Sequence, residues 1–239
     1  MRRIDVLSVG RSDFGRYRPI LRILHDAPDV ELRVLPTGSH FSDRFGHTID
    51  EVIESGFQWA PGLEMPIDED SPATVGKAIG AGSAALADMF AEKRPDLLVV
   101  LGDRFEMLAG ASAALGFNLP VFHIHGGAIT EGAIDELVRH ALTKMSHIHM
   151  VSCETYRQRV IQMGEEPWRV TNTGAPVLDE IKSLKPIPAV QLSATVGLDL
   201  TQPTVLVAWH PVTLERCDIG AQTDALLGAL REAGHQVVL

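Results

Sequence analysis

The chain has 239 residues and a formal net charge of −10 at pH 7, with 45% hydrophobic and 22% charged residues. That balance excludes a disordered chain, and the length accommodates one large or two small domains. The acidic surplus excludes nucleic acid or an anionic membrane as the main partner, while leaving a local pocket free to hold a small anion.

The opening "MRRIDVLSVG" carries two arginines, but its apolar stretch is short and broken by Asp5, unlike the core of a secretion signal. No segment reaches the about 18 apolar residues of a membrane span. The two cysteines, Cys153 and Cys217, lie far apart and form neither a disulfide framework nor a zinc pattern. A cytoplasmic location is expected.

Strand and helix patterns then alternate. "IDVLSVG" reads as a buried strand, and "RYRPILRILHDA" follows with apolar residues at helical spacing. "VELRVLPTG" is the next strand, and "DRFGHTIDEVIESG" the next helix, closed by Gly56. "PATVGKAIGAGSAALADMFAEKR" is a long helix, "PDLLVVLGD" a strand and "RFEMLAGASAALGFN" a helix of small residues. "LPVFHIHGG", "GAIDELVRHALTKMSH", "IHMVS" and "ETYRQRVIQMG" continue as strand, helix, strand and helix. Strands with unbroken apolar runs are buried on both faces, so a doubly wound α/β domain with a Rossmann-like parallel sheet is expected over residues 1–175. Residues 176–202, rich in proline and without periodicity, read as a linker. "TVLVAWHP", "AQTDALLGALREAG" and "HQVVL" read as the strand, helix and strand of a second domain, residues 203–239. So small a unit rarely buries a parallel sheet by itself.

Ligands of open α/β sheets sit beyond the carboxyl ends of the strands. The residues collected there are Arg11, Ser12 and Asp13, then Thr37, Gly38 and His40, then Asp103, Arg104 and Glu106, then His123 and His125, and finally His210. Each has a plainer reading. Asp103 is a good N-cap for the following helix, Asp135 and Arg139 are spaced for a surface ion pair, and the glycines of "HGG" suit a tight turn. In a strand His123 and His125 would face the same way. They lie with His140, His147 and His149 within 27 residues. HxH supplies two metal ligands, but no CxxC, HExxH or carboxylate spacing completes a set, so no metal is expected. There is no GxGxxG or Walker A pattern, which disfavours a dinucleotide or P-loop reaction.

The blocks "LGDRFEMLAGASAA", "HIHGGAITEGAIDELVRHALTKMSHIHMVSCETYRQRVIQMGE", "VTNTGAPVLDEI" and "HPVTLE", in this order, resemble the hydrolysing UDP-N-acetylglucosamine 2-epimerases of bacterial sialic and nonulosonic acid synthesis. "GRSDFG" and "LPTGSHFSDRFGHTIDEVIESGF" extend the likeness toward the start. The resemblance implies a two-domain glycosyltransferase-B-type fold, a UDP-sugar substrate, no cofactor and a homo-oligomer, dimer or tetramer. It also implies elimination of UDP to a glycal, followed by hydration to N-acetylmannosamine or a diacetylated 6-deoxy analogue.

Carried over by position, Asp103 and Asp135 match acidic catalytic residues, Arg11 a nucleotide-sugar contact and His210 a substrate contact from the second domain. Arg139 and His140 match a pair lining the site, and Arg104 and His40 join the substrate-binding set. The sequence departs where the family shows "HIEGGE" or "HIHGGE", since His125 and Ala128 stand at the acidic positions. One acid/base role therefore falls to His125, Asp135 or Glu131, or is lost. His125 is the favoured substitute because imidazole titrates near neutrality, while His123 is read as a packing or supporting residue. The family's nucleotide contacts lie largely beyond position 239, so truncation of the second domain is expected. That leaves a second reading, a non-catalytic sugar-nucleotide-binding remnant.

Overall fold

The computed structural model describes residues 1–60, 63–67, 69, 71–211 and 218–239. The described residues form two compact units, one of Met1–Glu131 with Asp135–Lys182 and one of Gly132–Ile134 with Ser183–Leu239.

In chain order the first unit contains β1 (Arg2–Ser8), α1 (Arg11–Asp26), β2 (Val30–Pro36), α2 (Ile49–Glu54), α3 (Pro72–Glu92), β3 (Leu97–Leu101) and α4 (Phe105–Gly116). It continues with β4 (Val121–Ile124), α5 (Ile134–Met145), β5 (Ile148–Val151), α6 (Glu154–Gln162), β6 (Val170–Asn172) and α7 (Val177–Ser183). The strands form one parallel sheet in the order β2-β1-β3-β4-β5-β6. It is the doubly wound α/β sheet expected from the apolar runs.

Alternate side chains along each strand feed opposite cores, which is why the runs are unbroken. Leu98 and Val100 join Leu7, Leu35, Leu86, Phe90 and Met107 on one side. Val99 and Leu101 join Val6, Val34, Phe14, Tyr17 and Leu21 on the other. The small residues of α4 let it lie close to the sheet. A Cβ on Gly110 would stand 2.7 Å from Leu7 Cδ2.

Three local expectations change. The first helix begins at Arg11, five residues before the apolar periodicity of "RYRPILRILHDA" declares it. The segment read as one helix from Asp43 is one short 3₁₀ turn, Asp43–Phe45, followed by α2. Gly46 and His47 between them take positive φ angles of 89° and 48°, which no helix continues through. β6 was not anticipated, because three residues are too few to show a period.

α7 falls in the stretch read as a linker, and its Glu180 pairs with Arg22 of α1 at 3.8 Å. The second unit holds α8 (Ala189–Val196), β7 (Thr204–Leu206), α9 (Ile219–Ala233) and β8 (Gln236–Val238), with β7 and β8 parallel. None of its described residues from Ser183 onward is buried, as expected of so small a βαβ unit. Of the block "HPVTLE", residues 212–215 lie outside the described residues. Among the described residues no helix is long and apolar enough to cross a membrane.

Candidate active site

Strand order reverses between β1 and β3, and the crevice at such a reversal is where open α/β sheets hold ligands. At the end of β1, Gly10 precedes α1, and a Cβ there would stand 2.4 Å from Ser39 Oγ. Arg11, in the first turn of α1, is exposed. Asp13 turns inward and accepts from Ser8 Oγ and Val9 N–H, both at 2.9 Å. Burial raises its pKa to about 6, against the lowering pull of those bonds and of Arg104. Ser8 Oγ also meets His40 Nε2 at 2.9 Å, and Thr48 Oγ1 meets His40 Nδ1 at 2.9 Å. His40, expected to touch substrate, is instead fully buried with both ring nitrogens engaged. It ties the ends of β1 and β2 together beneath the surface.

At the end of β3 the N-cap position of α4 is Arg104, without a side-chain cap bond, so Asp103 is not the cap. Asp103 Oδ2 accepts from Arg139 Nη2. Arg139, only 5% exposed, also donates to Ala128 O at 3.0 Å and to Thr130 Oγ1 at 2.9 Å. The Asp135–Arg139 surface pair suggested by spacing is thereby replaced by an ion pair reaching across to another strand end. Arg104 forms its own fork with the buried Glu106, 3.2 Å from Nε to Oε2 and 2.5 Å from Nη2 to Oε1.

β4 stops at Ile124, and His125 adopts a left-handed φ of 67°. The two histidines therefore part company, because only His123 remains in the strand, where it is fully buried. His125 is half-buried and its N–H donates to Met150 O at 2.9 Å. Burial lowers its pKa, helped by Arg16 and Arg139 and opposed by Asp103. The glycines after it fit a cramped turn. Gly127 has φ 83°, and a Cβ there would stand 2.5 Å from Tyr156 O. Gly127→Ala is expected to cost about 3 kcal/mol through left-handed strain and overpacking, seen as a fall in the midpoint of urea unfolding at unchanged slope.

Asp103, His125, Ala128 and Arg139 line one cavity of about 280 Å³, joined by Arg16, Ser152 and Tyr156. Starting α1 at Arg16 in the sequence hid that residue's place in the cavity. Ser152 follows β5 and was open to discovery by the same strand-end rule. Asp135 is half-buried in the first turn of α5; against burial, Glu106, then Asp13 and least Asp135 raise the Arg104 pKa. His140 is half-buried, 4.0 Å from Glu136. Glu131 is exposed. His210 lies in the second unit and is exposed.

His147 and His149, the remaining imidazoles of the 27-residue group, have protein partners. His147 Nδ1 accepts from Val121 N–H at 3.2 Å, and His149 Nε2 meets Glu165 Oε2 at 3.2 Å. His149 sits within β5, paired in register with His123 of β4, and not at the sheet's edge.

Burial lowers the pKa of both His40 and His123 from 6.5 to about 4. Each is neutral when folded and takes up a proton on unfolding below pH 6.5, so stability falls as pH drops from 6.5 toward 4. Asp13 opposes this between its unfolded 3.8 and its folded value of about 6, because there the folded state holds the extra proton. His125 and His149 are lowered as well and Asp5 is raised like Asp13, so four histidines stand against two aspartates and the net slope is a loss with acid. His40→Gln is expected to flatten that slope by up to about 1.4 kcal/mol per pH unit. An unchanged slope in urea unfolding across this range would place the proton uptake elsewhere.

The fold and cavity define a Rossmann-like α/β protein of the glycosyltransferase-B type. The chain superposes on the Methanocaldococcus jannaschii UDP-GlcNAc 2-epimerase in complex with UDP-GlcNAc and UDP with a TM-score of 0.78, at 15% identity, covering 98% of this chain and 64% of that one. On the Neisseria meningitidis UDP-GlcNAc 2-epimerase bound to UDP-GlcNAc the TM-score is 0.75, at 19% identity, covering 99% and 65%. The sequence profile of the UDP-N-acetylglucosamine 2-epimerases matches residues 22–239, and the chain belongs to that family. It is 34% identical over 238 residues to the UDP-N,N'-diacetylbacillosamine 2-epimerase (hydrolyzing) of Legionella pneumophila, covering 100% of this chain and 63% of that protein. It is 35% identical over 213 residues to the GDP/UDP-N,N'-diacetylbacillosamine 2-epimerase (hydrolyzing) of Campylobacter jejuni, covering 89% and 55%. The chain thus spans less than two thirds of the length of both relatives.

Proposed function

We propose that this chain carries the reacting half of a hydrolysing 2-epimerase acting on a UDP-linked 2-acetamido sugar. The observation that carries the reading is the convergence of Asp103, His125, Arg139 and Arg16 on one cavity at the carboxyl ends of β3, β4 and β5. Burial and the neighbouring cations favour a neutral His125, a ring with a free electron pair to take the weakly acidic C2 proton. The C1–O bond to UDP breaks as the C1=C2 bond forms, and the electron pair leaves with the diphosphate. Arg16, together with Arg11 at the start of the same helix, supplies positive charge for that leaving group. Asp103, oriented by Arg139, faces the cation-like charge developing at C1. Water then adds to C1 and a proton returns to C2, releasing the free sugar with inverted C2. Asp135, Glu131, Arg104, His140 and His210 are assigned supporting places around these steps, and His40 a place beneath them.

The names of the Legionella and Campylobacter relatives favour a diacetylated 6-deoxy sugar, with UDP-GlcNAc as the second substrate to try. The test is proton NMR in D₂O with each UDP-sugar. Release of UDP with deuterium at C2 of the product is expected. Substrate signals that shift without UDP release would support the binding-only reading, which the family membership does not favour.

A further inference from the structure

His123 touches none of the cavity, yet it reaches groups on both sides of the Asp103–Arg139 pair. Its Nε2 lies 2.8 Å from the carbonyl oxygen of Gly102, an atom that only accepts, so Nε2 carries the proton. Gly102 immediately precedes Asp103 and holds a left-handed φ of 75°. Its own N–H donates to Ile124 O at 2.8 Å, so this turn is tied to β4 at two adjacent points. On the other side of the ring, the unprotonated Nδ1 lies 3.3 Å from Thr143 Oγ1, whose single proton is shared between Nδ1 and the carbonyl oxygen of Arg139 at 3.0 Å. One ring therefore spans from the peptide before Asp103 to the helical turn that carries Arg139. Gly126 completes the slot, since a Cβ there would stand 3.1 Å from Thr143 Oγ1 and 3.2 Å from Nδ1.

We infer that His123 is a positioning residue for Asp103: its Nε2–H fixes the Gly102–Asp103 peptide, and its contact with Thr143 sets α5, so that carboxylate and guanidinium meet in the orientation the reaction uses. The inference rests on the epimerase reading for its catalytic consequence, and on geometry alone for its structural one. An imidazole suits the place because burial keeps it neutral, with one N–H to give and one lone pair left over.

His123→Gln and His123→Asn separate positioning from packing. A glutamine amide can place an N–H where Nε2 stands, whereas asparagine reaches only as far as Nδ1. In the full chain, His123→Asn is expected to lower kcat for UDP release on the order of 10²-fold with KM within about threefold, while His123→Gln recovers to within about fivefold of the parent. Equal losses in the two variants, following their losses in Tm, would overturn the inference, as would an asparagine variant as fast as the parent. Should His123→Asn not fold, Thr143→Val takes its place, with kcat expected to fall at constant KM. An unchanged kcat there would likewise overturn it.

A second readout needs no turnover. Exchange of the Arg139 guanidinium protons, slowed by the ion pair to Asp103, is expected to stay slow in the parent and in His123→Gln and to quicken in His123→Asn. Identical exchange in all three would overturn the inference. If the parent releases no UDP from either sugar, the epimerase reading fails and this measurement still decides the positioning.

Discussion

Asp103→Asn is expected to reduce UDP release by roughly 10³-fold or to background, the combined scale of a lost acid/base group and a lost charge partner in the transition state. The substitution preserves shape, and an asparagine oxygen still accepts from Arg139. What disappears is the negative charge proposed to face C1, and the counter-ion of a guanidinium that is only 5% exposed. Breaking such a pair also costs stability. Asp103 retains 29% side-chain exposure, so solvent screens part of the loss, and a penalty of about 1–3 kcal/mol is expected rather than the full cost of a deeply buried pair. In a chain of this size that lowers Tm by several degrees. The assay therefore belongs well below the variant's Tm, with the folded fraction measured by circular dichroism. UDP affinity should be nearly unchanged, because the proposed place of the carboxylate is at the sugar and not at the diphosphate. Turnover within tenfold of the parent would remove Asp103 from the chemistry.

How Asp103 was legible in the sequence, and Arg139 only in part, follows from the range of the signals. The run "LLVVLGD" announces a buried strand and the polar residue at its end, since both are local properties of five or six side chains. Arg139 sits 36 residues further along, on a helix where i, i+4 spacing offers Asp135 as a nearer partner. Spacing along a helix says nothing about a carboxylate arriving from another strand. The family likeness placed Arg139 in the site, but only the packed sheet shows which acid it holds. His40 failed for the opposite reason. A polar residue after a strand looks the same in sequence whether it points into the crevice or underneath it. Its two hydroxyl partners, Ser8 and Thr48, are 32 and 8 residues away.

His125→Ala is expected to lower kcat by about 10²- to 10³-fold, within the range for removing a general base, with a smaller effect on KM. The residue holds a left-handed φ of 67°, a conformation histidine tolerates better than alanine, so the variant's Tm is measured alongside and the assay kept well below it. Ala128 makes the complementary case. Its carbonyl already serves Arg139 at 3.0 Å, while its methyl lines the cavity at a position where the family likeness leads one to expect an acid. Ala128→Glu would add a carboxylate without removing a backbone contact. If His125 has taken over the missing role, Ala128→Glu in the His125→Ala background should recover about tenfold of the lost rate, on the scale of one modestly placed acid/base group. The restored activity should follow the titration of a carboxylate, active at lower pH than the imidazole enzyme. A double variant no faster than His125→Ala would show that the two positions do not share one role, and the proton at C2 would then have to pass through Asp135 or Asp103.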